Sequence, residues 1–91
     1  MTLDIDKLRA ETPGTGTRTH FNNAGAALMP LPVYEAVRDH LDLELAIGGY
    51  EAQARAKAAY ERTYDAIAEL INCDRSEIAL VENATVGWQM A

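Results

Sequence analysis

One short apolar run limits what this chain can build. Ile78-Ala79-Leu80-Val81 is bounded by polar residues and carries β-branched Ile78 and Val81, the pattern of a buried strand. A buried strand must pair its backbone N–H and C=O groups with a neighbour. The other candidate, Arg18-Thr19-His20-Phe21, is short and weakly patterned. The rest of the chain reads as helix or loop. The expected fold class is therefore mostly α with one short β-strand. The unpaired strand, and an end at Ala91 roughly two turns into an apolar helix, predict the N-terminal piece of a larger protein.

The helical elements follow from spacing. Residues 4–11 predict a short helix capped by Asp4, with Ile5 and Leu8 on one face and Pro13-Gly14 ending it. The following segment is irregular, with Pro13, Gly14, Gly16 and Gly25 inside it. Its Gly-Thr-Gly is no dinucleotide fingerprint, because Thr19 stands where the third glycine belongs and no strand precedes it. Residues 32–47 predict a helix opened by Pro32, with Val33, Val37, Leu41 and Leu45 as its apolar stripe. Gly48-Gly49 stops it and forms a hinge. Residues 50–72 predict a longer helix with the stripe Ala56, Tyr60, Tyr64, Ile67 and Ile71. Thr85 onward reads as the start of another.

Composition narrows the function classes. The chain has 91 residues, the size of one small domain. Its 48% apolar fraction overstates the core, since sixteen of those residues are alanine and there is one Phe and one Trp. The net charge of −6, with no cluster of Lys and Arg, argues against nucleic acid and against an anionic membrane surface. Cys73 is the single cysteine, so neither an intrachain disulfide nor a cysteine zinc site can form. There is no signal-type leader and no apolar run of bilayer length, which sets the expectation of a cytoplasmic protein.

Few residues carry chemistry. His20 and His40 have no metal-ligand spacing, and no metal site is expected. The carboxylates are scattered and make no acid/base pair. Lys7 and Lys57 lie on polar helix faces, without the desolvated setting that makes a Schiff-base nucleophile. "ENATVG", residues 82–87, is more informative. A turn from a strand into a helix N-terminus offers free N–H groups to a phosphate. Ala84 would let the ligand approach the backbone and Thr85 would add a hydroxyl. The alternative is that Asn83 or Thr85 only caps the helix. Asn83-Ala84-Thr85 also matches a glycosylation sequon, which would require secretion. Asn22-Asn23-Ala24-Gly25 either lines a pocket or forms a turn.

Taken in order, "HFNNAGAALMPLPV" (20–33), a long helix, "GGY" (48–50), a second helix and "EIALVENATVGW" (77–88) resemble the N-terminal segment of class V aminotransferases. That group includes the cysteine desulfurase and selenocysteine lyase-like enzymes. The resemblance covers residues 20–91. It implies the N-terminal part of an α/β fold type I transferase that depends on pyridoxal 5'-phosphate and acts on an amino acid. On it, residues 1–76 form a helical and extended segment contributing to the small domain and to homodimer contacts. Residues 77–91 are then the first strand and helix start of the large, cofactor-binding domain. Ala84 and Thr85 match the pair that holds the cofactor phosphate. Asn23 and Ala24 match the segment that reaches the substrate side. The glycine loop lacks the basic residues of many desulfurases. The family's Schiff-base lysine, its aspartate on the pyridine nitrogen and its ring-stacking residue have no match here, so no catalytic residue is expected in this chain. The competing expectation is a small acidic helical interaction module without catalysis.

Overall fold

The computed structural model describes residues 2–91. The chain divides into two units, with the boundary after Ala52. It is built from helices α1 (Ile5–Ala10), α2 (Leu31–Ile47), α3 (Gly49–Arg55), α4 (Lys57–Ile71) and α5 (Ala84–Met90).

In the first unit, Asp4 caps α1 as its sequence position predicts, its Oδ1 accepting the Lys7 N–H at 3.0 Å. A 3-10 turn over Pro13–Gly16 follows. The irregular segment after α1 is ordered by threonine hydroxyls. Thr12, Thr15 and Thr17 donate to the carbonyls of Leu8, Thr12 and Gly14 at 2.8, 2.9 and 3.1 Å. Leu28 lies against Gly14, where an added Cβ would meet its Cδ2 at 3.0 Å. The Leu31 N–H donates to the Glu11 carbonyl at 2.7 Å, tying the start of α2 to the end of α1.

Helix α2 starts one residue before the expected Pro32 and ends where Gly48 breaks it. Gly48 sits at φ 96, ψ 155, a backbone region costly for any residue with a side chain. Its N–H closes α2 on the Glu44 carbonyl at 2.8 Å, and its carbonyl accepts the first α3 bond from Ala52 at 2.9 Å. The expected stripe of α2 is not buried: Val33, Val37, Leu41 and Leu45 are all exposed, Leu45 at 88%. The half-buried positions on this helix are His40, Leu43 and Ile47.

The single helix expected over 50–72 is two, with Ala56 at φ −85, ψ 2 between them. Neither glycine nor proline marks this break. In the second unit, α4 ends at Asn72, which adopts the left-handed conformation at φ 55, ψ 55. Asparagine tolerates that region better than most residues, and the Cys73 N–H folds back to the Ala68 carbonyl at 3.0 Å. A 3-10 turn over Arg75–Glu77 follows. It has reciprocal capping. Asp74 Oδ1 accepts the Ser76 N–H at 2.9 Å, and Glu77 Oε2 accepts the Asp74 N–H at 2.9 Å.

The turn is fastened to α4 by Arg75. Its guanidinium reaches Glu61 Oε2 at 2.6 Å and Asp65 Oδ1 at 3.3 Å, and lies 5.7 Å from the Tyr64 ring centre. Glu61 and Asp65 are one helical turn apart, so one forked cation spans both.

The expected strand at 78–81 does not form, and no strand occurs among the described residues. Ile78 is extended at φ −107, ψ 128. Extension alone makes no strand: without a second edge the run has nothing to pair with. The strand expected at the start of 77–91 is thus corrected to an irregular lead over 78–83 into α5. That lead packs on the helix. A Cβ at Gly87 would stand 3.3 Å from Val81 Cγ2.

Ala52 and Ala68 are the buried hydrophobic residues among those described, and no large side chain is fully buried. Alanine contributes little area, so apolar burial within the chain adds little stability. Caps, turns and the Arg75 fork carry the local order.

Candidate functional site

The start of α5 is built by Asn83. Its backbone is extended at φ −165, ψ 170, and its Oδ1 accepts the Val86 N–H at 2.9 Å. The Asn83 carbonyl accepts the Gly87 N–H at 3.1 Å, the first bond of the helix. The polar residue at the turn is therefore a cap, as one of the two sequence readings has it. This cap leaves Ala84 and Thr85 as the first two helical residues. The N–H groups of such residues have no intrahelical acceptor.

The donor set at Ala84 and Thr85 suits a phosphate in kind: two backbone N–H groups and one hydroxyl at the positive end of a helix. Three features restrict it. α5 has only seven residues, Asn83, Ala84 and Thr85 are exposed, and the third amide of the turn is already taken by the cap. The two lysines lie on other helices. Lys7 pairs with Glu11 at 3.9 Å on α1, and Lys57 opens α4.

Asn23 and Ala24 occupy the tip of a turn closed by their neighbours. Asn22 Oδ1 accepts the Gly25 N–H at 3.0 Å, and the Asn22 carbonyl accepts the Ala26 N–H at 3.2 Å. His20 Nε2 lies 2.7 Å from the Ala26 carbonyl, so that nitrogen carries the proton. A Cβ at Gly25 would meet the Asn22 carboxamide at 2.7 Å, which explains the glycine. The turn thus presents the exposed Asn23 and Ala24 outward. The residues that shape the loop are His20, Asn22 and Gly25. An Asn three residues before a Gly is the signal for such a turn.

Ala84 with Thr85, and Asn23 with Ala24, are each adjacent pairs, and the two pairs lie in different units. A shallow depression of ≈ 280 Å³ runs along α4, lined by Ala59, Arg62, Thr63, Ala66, Ile67 and Leu70. All six come from one helix, without the converging polar groups of a ligand site.

Among the described residues no group of three or more His, Cys, Asp or Glu side chains is placed to hold a metal ion. No helix there is long and apolar enough to cross a membrane. No protein-family model matches the chain, and no curated protein or solved structure matches it.

Proposed function

We propose that this chain is the N-terminal portion of a pyridoxal-phosphate-dependent, fold type I enzyme acting on an amino acid, of the class V aminotransferase, lyase or desulfurase type. The observation that carries the reading is the start of α5. Asn83 takes the Val86 amide for its cap and leaves the Ala84 and Thr85 donors, the pair the resemblance assigns to the phosphate. The ordered motifs over 20–91, which resemble that family, support the reading.

In this reading the cofactor, when bound, is the electron sink for bond breaking at the amino-acid Cα. The contribution of this chain is confined to holding and orienting. The Ala84 and Thr85 amides and the Thr85 hydroxyl grip the phosphate. Asn23 and Ala24 are the residues that the resemblance assigns to the substrate side. The Schiff-base lysine and the groups around the ring come from outside residues 1–91. The reading includes a cytoplasmic homodimer. The exposed apolar side chains of α2 supply area for contacts beyond the chain.

The test is borohydride reduction of the full-length gene product with pyridoxal 5'-phosphate, followed by peptide mapping. One stoichiometric lysyl adduct outside residues 1–91 is expected. An adduct at Lys7 or Lys57, or none, overturns the reading.

The second reading, a small acidic helical interaction module without catalysis, draws on the same exposed stripe of Val33, Val37, Leu41 and Leu45. It predicts that residues 1–91 alone unfold in one sharp transition. A molten or aggregating isolated chain argues against it.

A further inference from the structure

We draw no further inference here: the strongest candidate, the exposed apolar stripe of Val33, Val37, Leu41 and Leu45 along α2, is an unpartnered helix face, and nothing in the structure shows what covers it.

Discussion

The carboxamide of Asn83 accepts the backbone N–H of Val86 at 2.9 Å, across one turn of chain. That single bond settles how α5 begins and which amides remain free. Replacing the cap, Asn83→Ala, is expected to cost about 1 kcal/mol, within the range of roughly 0.5–2 for lost caps. Asn83→Asp should retain most of it. Urea unfolding, with amide exchange at Val86 as the local probe, checks both. Unchanged exchange in the alanine variant would refute the cap.

Thr85 tests the phosphate assignment separately from the cap. Its hydroxyl makes no hydrogen bond to the described residues, so Thr85→Ala should change stability by less than about 0.5 kcal/mol. In the full-length protein the same substitution should weaken cofactor binding by about 1.5–3 kcal/mol, on the order of ten- to a hundredfold. A spectroscopic titration with pyridoxal 5'-phosphate reads the difference. Unchanged affinity would remove Thr85 from the cofactor site.

Gly48 and Gly49 are adjacent but should respond oppositely. A side chain at Gly48 would have to adopt φ 96 and would meet Glu51 Oε2 at 2.6 Å. Gly48→Ala should therefore destabilise by about 1–3 kcal/mol. A Cβ at Gly49 meets nothing within 4 Å, and this residue already lies in α3. Gly49→Ala should be stabilising by roughly 0.4–1 kcal/mol, through reduced freedom of the unfolded chain. Denaturant midpoints of the two variants provide the comparison, and equal effects would contradict the geometry.

Asp74 should titrate below the usual aspartate range. The Ser76 backbone N–H first, and then the Ser76 hydroxyl, stabilise its carboxylate. A depressed folded pKa adds stability above the unfolded value of about 3.9. That contribution is lost as pH falls through the lower folded value, so its effect is confined to acid. Ser76→Ala should move the Asp74 pKa upward without restoring it fully, because the backbone donor remains. Carboxyl-carbon NMR titration measures this, and an unmoved midpoint would rule out the hydroxyl.

Arg75 fastens its turn to α4 through partly exposed carboxylates, so its worth should be modest. Each pair is expected to contribute about 0.2–1 kcal/mol and to weaken with salt. A double-mutant cycle of Arg75→Ala with Glu61→Gln isolates the shorter contact at 2.6 Å. Zero coupling at low salt would make the fork ornamental. Arg75→Lys should lose part of the coupling, since an ammonium cannot span Glu61 and Asp65 as a planar fork does.

What was readable in advance was mostly local. The Asp4 cap, the stop at Gly48, the end of α4 at Asn72 and the helix beginning beside Thr85 each depend on residues within one turn of each other. The break at Ala56 was not readable, because an alanine-rich stretch has no breaker residue. The α2 stripe is legible as a helical pattern, while its exposure is not. Periodicity says which residues share a face, and only packing says whether anything covers it. The candidate site was half legible: the turn chemistry of "ENAT" allowed both a cap and an anion site, and side-chain geometry assigned Asn83 to the cap.

The sequence alone determined most of the helix ends, the break at Ala56 excepted, since caps and glycine conformations are decided by a few neighbouring residues and their hydrogen bonds. Tertiary structure decided the rest. It joined Leu31 to Glu11 and Arg75 to Glu61, contacts between residues 20 and 14 positions apart, which no local pattern encodes. It also decided that Ile78–Val81 is no strand. A strand is a relation between two segments, and one apolar run cannot supply both sides of the ladder.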